Sequence, residues 1–190
     1  MLKNLILKNR SYRRFFEETE IGNDVLENLV DLARNTASTA NLQGLKYKII
    51  NKPEDNLRVF STLGWAGRLN GKGTPPEGER PSAYIIVLCD TRIAKELPID
   101  CGIAAQTILL GAVEAGFGGC MLGSINREKL AADFNIDLSV FTVPLVIAIG
   151  KPKENVILTE AGPDGNIAYY RDEEGNHYVP KRKLEDIIIK

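Results

Sequence analysis

Residues 98–124, PIDCGIAAQTILLGAVEAGFGGCMLGS, constrain the fold more than any other stretch of the chain. Between Ile99 and Ala115 the only formal charges are Asp100 and Glu114, and the positions between them are apolar or small on every side of a helix. Such a helix has no face to give to water, so it is expected to be buried all round. At 1.5 Å per residue it spans roughly 25 Å, about the width of a small domain. Gly102, Ala104, Ala105, Gly111, Ala112 and Ala115 leave room for another backbone to come close. Gly116 is the natural stop, because glycine takes the left-handed conformation that closes a helix. A buried strand over 119–124 is expected to follow. The chain is therefore read as built around one core helix that feeds one strand.

Composition excludes several function classes. A chain of 190 residues is long enough for one domain with a real core. Its 44% apolar and 26% charged content is that of an ordinary globular protein. A net charge of -1 gives no argument for a nucleic-acid surface. The apolar run of the core helix falls short of the ~20 residues a membrane span requires, and it carries Asp100, Gln106 and Glu114. The first ten residues show no long apolar region and no small-residue cleavage site, so no signal peptide is read there. Three cysteines, Cys89, Cys101 and Cys120, with no CxxC spacing argue against a disulfide framework and a zinc site. They fit reduced thiols in the cytoplasm.

The remaining segments are read in order. A short helix with Leu2, Leu5 and Ile6 on one side runs into the donor-rich segment Asn9-Arg10-Ser11-Tyr12-Arg13-Arg14-Phe15. A helix is expected over 24–34, with Asp24 and Glu27 as a capping box and Val25, Leu26, Leu29, Val30, Leu32 and Ala33 as its stripe. Residues 36–44 form a loop of small polar residues that favours local side-chain-to-backbone bonds or close approach of a ligand. A strand over 45–51 follows, then a short helix opened by Pro53 with Leu57 and Phe60 inward. Residues 64–81 hold five glycines and three prolines around Trp65, the sole tryptophan. A loop of that length is a lid or a floppy insertion, and Trp65 at its start favours a substrate-side cover. Residues 82–90 and 143–150 read as central strands, apolar almost throughout. Between them Asn126 caps a helix to about Phe134, with Ile125 and Leu130 as a hydrophobic staple. Residues 155–190 differ from the rest: a polar arm with turn signals at Asp164-Gly165 and Glu174-Gly175-Asn176, ending in Leu184, Ile187, Ile188 and Ile189. Apolar residues there need a partner, either this molecule's own sheet or another subunit.

Side-chain catalysis finds few candidates. His177 is the only histidine and lies in the turn-rich arm, where a surface or loop role is expected; no carboxylate cluster has metal-ligand spacing. Cys120, between glycines, is read as a buried thiol acting as a small hydrophobe. GFGGCMLG is neither a P-loop nor a dinucleotide fingerprint. A pocket of small residues flanked by cations, without acid–base side chains, suits a bound cofactor that carries the chemistry itself. A phosphate on it would be met by Arg and Ser donors.

Three segments now carry a family resemblance. Residues 9–15 are similar to the R-R-S-x-R-x-F signature of FMN-dependent nitroreductases, with Asn9 in place of the first arginine. Residues 37–45 resemble that family's P-S-x-x-N-x-Q-P-W, with Ala37, Gly44 and Leu45 at the Pro, Pro and Trp positions. Ala104-Ala105-Gln106 through Gly116-Phe117-Gly118 to Gly123-Ser124 resembles the core helix and the strand beneath the flavin. The resemblance implies a single α+β domain over 1–190, with an antiparallel-rich central sheet flanked by helices. It also implies an intertwined homodimer that exchanges its C-terminal segment as an edge strand, with FMN at the subunit interface. Arg10, Ser11 and Arg13 would hold the phosphate, ribityl and pyrimidine end. Ala37, Ser38 and Thr39 of the other subunit would lie along the dimethylbenzene side, and Gln43 would reach the cofactor or brace that loop. Met121, Leu122, Gly123 and Ser124 would back the ring, Gly123 standing where many relatives carry a glutamate. A basic residue near the C-terminus, Lys181 or Arg182, with Lys151 as a further option, would contact the phosphate.

The activity implied is ping-pong hydride transfer from NADH or NADPH through flavin N5 to a small-molecule acceptor such as a nitroaromatic or quinone, with no catalytic side chain. Alternatives are a same-fold flavoenzyme with other chemistry (enone reductase, dehalogenase or flavin-destroying oxygenase), a non-catalytic FMN-binding module, or a thiol enzyme using Cys120.

Overall fold

The computed structural model describes residues 2–69 and 73–189. Its elements in chain order are α1 (Leu2–Lys8), β1 (Phe15–Phe16), α2 (Asn23–Arg34), β2 (Leu45–Ile50), α3 (Pro53–Phe60), β3 (Ala83–Asp90) and α4 (Pro98–Glu114). They continue with β4 (Gly118–Leu122), α5 (Arg127–Phe134), β5 (Phe141–Pro152), β6 (Val156–Glu160), β7 (Tyr170–Arg171) and β8 (His177–Lys181). Part of the 64–81 loop, residues 70–72, lies outside the described residues.

Strand β3 is buried at every position because both faces of its sheet are covered. Ala83, Ile85 and Val87 face α2 and α4, where they join Leu26, Leu29, Ala105 and Ile108. Tyr84, Ile86 and Leu88 face α3 and α5, with Val59, Leu130 and Phe134. A strand that alternates between two apolar layers needs an unbroken apolar sequence, which is why SAYIIVLCD reads as it does. The sheet is antiparallel throughout and runs β1-β5-β3-β2, with β4 also paired to β5. The α+β architecture, the two central strands and the core helix follow the sequence reading. Among the described residues no helix is long and apolar enough to cross a membrane.

Several local expectations need correction. Helix α2 opens one residue earlier, on Gly22, and no side chain caps it, so Asp24 lies inside the helix rather than at its cap. In α3 the buried positions are Asn56 and Val59, while Leu57 is 48% exposed and Phe60 only half-buried. Pro53 at the first turn sets a register in which Leu57 points away from the sheet. The strand after the core helix spans Gly118–Leu122, so Gly123 and Ser124 have already left it. By contrast, Asn126 caps α5 as expected, its side chain accepting the Lys129 N–H at 3.1 Å.

Helix α4 is not buried on every face. Ile99 is 69% exposed, Gly102 is exposed, and Ile103, Gln106, Leu110 and Val113 are only half-buried. Their spacing places them along one stripe of the helix. Nearby α1, which packs on α4, leaves Leu2, Ile6 and Leu7 exposed. One copy of the chain therefore presents an apolar band along its longest helix.

The C-terminal arm folds on itself. Strands β6 and β8 pair in parallel, and β7 adds antiparallel to β8. This small sheet docks through a buried carboxylate. Glu154 accepts the Arg13 backbone N–H and a 2.5 Å bond from the Arg171 guanidinium. His177 Nδ1 stands 3.6 Å from the same carboxylate, and the ring is 1% exposed. The expectation of a surface histidine is wrong, because the arm closes over His177 and Tyr169 covers its ring at 5.5 Å. Leu184, Ile187, Ile188 and Ile189 remain exposed.

At Gly116, φ of +83° turns the chain from α4 into β4. A Cβ at Gly119 would collide with the Ala148 carbonyl of β5 and approach Leu109 of α4 to 2.7 Å. Because the obstruction is backbone, it has little freedom to yield. Gly119→Ala is expected to cost about 2–3 kcal/mol, and the thermal midpoint should fall by roughly 4–12 °C in a calorimetric scan.

Candidate functional site

The residues proposed to hold a cofactor fall into two groups on opposite edges of the sheet. Arg10, Ser11 and Arg13 lie beside β4. Ser11 bridges to Gly119, and the Tyr12 N–H donates to the Gly119 carbonyl at 3.0 Å. Met121, Gly123 and Ser124 are exposed along the same edge, whereas Leu122 is buried in the α3–α5 layer. The second group, Ala37, Ser38, Thr39 and Gln43, leads into β2, the far edge strand. Three strand spacings of ~4.8 Å, about 14 Å, separate β4 from β2. Lys181 and Arg182 are exposed at the end of β8, in the arm's own sheet.

In the first group the arginines are half-buried and short of partners. Arg10 donates from one terminal nitrogen to the Ile6 carbonyl at 2.6 Å, and Arg13 donates to the Ser11 carbonyl at 3.2 Å. The Nε of each is buried with no hydrogen-bond partner among the described residues. Neither side chain is ion-paired with a carboxylate among the described residues. Burial draws the Arg10 guanidinium below its ordinary pKa, partly offset by Tyr12. The Arg13 guanidinium lies over Tyr169 of the arm, 5.6 Å from the ring centre. Two arginines at one sheet edge without a carboxylate partner suit an anion from outside the chain.

In the second group the organiser is Asp100, a residue to which sequence reasoning assigned no role. It sits in the first turn of α4 and accepts three bonds: from Ser38 Oγ at 2.6 Å, Thr39 Oγ1 at 2.6 Å and the Thr39 N–H at 2.9 Å. Ser38 Oγ in turn accepts the Gln43 N–H at 2.9 Å. These bonds hold a loop with a 3-10 turn, Thr39–Asn41, and positive φ at Ala40, Asn41 and Gln43. Gln43 thus braces the loop. The signal was available: Asp100 is one of two charges in an otherwise apolar helix. Behind the loop is a cavity of about 350 Å³ bordered by Ala37, Ser38, Gln43, Tyr47 and Asp100.

Trp65 is 6% exposed and packs against Phe60 at 5.7 Å in the α3–α5 layer. Its Nε1 is buried without a partner. Cys120 is buried, and burial pushes its thiol pKa up, which favours the unreactive protonated form.

A sheet covered by helices on both faces, a long central helix with one free stripe and cation-lined edges define an α+β fold whose candidate cofactor residues do not meet within one chain. Comparison with known proteins gives this fold its relatives. The nitroreductase family model matches residues 79–151, from the turn before β3 through most of β5. The structure superposes on a nitroreductase family protein from Clostridium novyi NT with a TM-score of 0.68 and 22% identity, covering 80% of this chain and 86% of that one. It superposes on an FMN-dependent nitroreductase from Clostridium difficile R20291 with a TM-score of 0.66 and 19% identity, over 82% and 89% of the two chains. A sequence relative, the CLA biosynthesis enone reductase of Lactiplantibacillus plantarum, is 22% identical over 83% of this chain and 88% of its own length. The nitroreductase resemblance of the sequence is thus borne out by the family model and by the fold.

The Asp100 carboxyl is held below the usual carboxylate range: burial alone would raise it, and the bonds from Ser38 and Thr39 outweigh burial. A carboxyl depressed in the folded state contributes stability that is present above its unfolded pKa, near 3.8, and is lost as pH falls through the folded value. Amide exchange at Thr39 is therefore expected to accelerate, relative to the β3 amides, once the pH drops below about 4. Asp100→Ala should give the same acceleration at neutral pH.

Proposed function

We propose that the chain is an FMN-dependent NAD(P)H oxidoreductase that works as a homodimer. The observation that carries this reading is the pair of half-buried arginines, Arg10 and Arg13, at the β4 edge, neither ion-paired with a carboxylate among the described residues. Arg10, Ser11 and Arg13 would hold the phosphate end of the cofactor, through charge-assisted bonds worth about 1.5–3 kcal/mol each. Met121, Gly123 and Ser124, exposed along the same edge, would offer backbone and small side chains to the ring. When bound, FMN would supply reversible hydride transfer between a nicotinamide donor and an acceptor such as a nitroaromatic or quinone. The chain's part is orientation and charge, and its buried thiols have no role in the chemistry.

The same geometry supports a dimer. The loop bearing Ala37, Ser38 and Thr39 can complete a site at the β4 edge only if a second copy brings it there. The free apolar stripe of α4, from Ile99 to Val113, supplies a surface for that contact. Exposed Ile187, Ile188 and Ile189 suit a crossing C-terminal segment. The enone reductase relative favours a second reading of the acceptor, a carbon–carbon double bond conjugated to a carbonyl, and an anaerobic acceptor screen separates the two.

The purified protein is expected to be yellow and to bleach near 450 nm (roughly, the oxidised-flavin band of a cofactor that itself carries the electrons) within seconds of NADH or NADPH addition under anaerobic conditions. Arg13→Ala should weaken FMN retention by about tenfold or more, while Cys120→Ala leaves turnover nearly unchanged. Unaltered retention in Arg13→Ala would remove the phosphate assignment.

A further inference from the structure

The C-terminal arm and the turn that leads into it touch Arg13 twice. The first contact is to its main chain. Residues 15 and 16 pair with the end of β5, Phe15 opposite Pro152 and Phe16 opposite Lys151. The Lys153 N–H continues this ladder by donating to the Arg14 carbonyl at 2.9 Å. One position further, the Glu154 side chain takes over from the backbone and accepts the Arg13 N–H. The second contact is to the Arg13 guanidinium, which lies over the Tyr169 ring at 5.6 Å from its centre and donates to the Ser11 carbonyl at 3.2 Å.

Both supports are themselves fixed. The Glu154 side chain is 3% exposed, and its other oxygen accepts the 2.5 Å bond from the Arg171 guanidinium of β7. Arg171 balances its charge, so the pair adds no net negative charge beside Arg13. Burial alone would raise the Glu154 carboxyl; His177, the Arg13 N–H and Arg171 outweigh burial and hold it below the ordinary glutamate range. Tyr169 is braced by the buried His177 ring, 5.5 Å away with the planes at 52°. The His177 N–H donates to the Asn155 carbonyl at 2.9 Å, next to Glu154 in the chain. The contacts therefore close a circuit, from Glu154 to Arg13, Tyr169 and His177, and back to Glu154 at 3.6 Å. An arginine side chain has many rotamers, and one fixed before its ligand arrives loses less freedom on binding.

We propose that Glu154 and Tyr169 are positioning residues for the cofactor phosphate. Glu154 holds the main chain of Arg13 and Tyr169 its guanidinium, both acting through Arg13 rather than on the cofactor. The proposal rests on the reading of Arg13 as a phosphate ligand, and it gives the C-terminal arm a part in cofactor binding within its own chain.

Equilibrium dialysis of the full chain against FMN, and against riboflavin, which lacks only the phosphate, tests it. Tyr169→Ala is expected to weaken FMN binding about fivefold and to leave riboflavin binding unchanged. Tyr169→Phe keeps the ring face and should restore the parent's affinity for FMN. In an Arg13→Ala background, Tyr169→Ala should cost nothing further. Glu154→Ala should weaken FMN binding about tenfold, again without effect on riboflavin. It also leaves Arg171 unpaired and destabilises the arm, so the variants at half-buried Tyr169 keep the test independent of folding. Equal losses of FMN and riboflavin in Tyr169→Ala would overturn the proposal, as would a Tyr169→Phe no better than Tyr169→Ala. If Arg13→Ala weakens FMN while Tyr169→Ala and Glu154→Ala do not, the positioning role falls and the phosphate assignment stands. A parent chain that binds FMN no tighter than riboflavin removes the phosphate assignment and this proposal with it.

Discussion

Helix α4 sets the distance that the rest of the structure has to respect. Its first turn carries Asp100, which grips the loop of Ser38 and Thr39. Its last turn hands the chain through Gly116 to β4, which holds the segment of Arg10, Ser11 and Arg13. Seventeen helical residues, roughly 25 Å, separate those two grips. No rearrangement of side chains can bring them together, because the helix between them is packed against α2 and the sheet. In the proposed dimer, a second copy laid against the free stripe of α4 would join the two groups without unfolding either.

That constraint explains features which are awkward in a single chain. A band of half-buried apolar residues on the longest helix would normally be covered, and exposed Leu2, Ile6 and Leu7 on α1 enlarge it. Arg10 and Arg13 at the β4 edge are ion-paired with no carboxylate among the described residues. The loop at Asp100, with three non-glycine residues at positive φ, is held by hydrogen bonds where a merely connecting loop would relax. The proposed dimer, with a cofactor and a partner copy meeting at one place, would accommodate each feature.

Much of this was legible in the sequence because it depends on local pattern. The unbroken apolar run of β3, the Asn126 cap and the glycine stop after α4 are written in consecutive residues. What was not legible depends on contacts between distant segments. His177 gives no local sign that the arm folds over it and sets it beside Glu154, 23 positions earlier. Asp100 looks like a stray charge until Ser38 and Thr39 arrive from 62 and 61 residues away. Leu57 and Phe60 were placed by apolar character alone, whereas the register set by Pro53 turns Asn56 and Val59 inward.

The central claim is that two copies of the chain, and neither copy alone, make the flavin site. Sedimentation followed simultaneously at the protein and flavin absorbance bands addresses it directly. The account predicts one boundary at twice the 21.0 kDa chain mass, carrying both absorbances at one FMN per chain. Flavin that sediments with a 21.0 kDa monomer would contradict it.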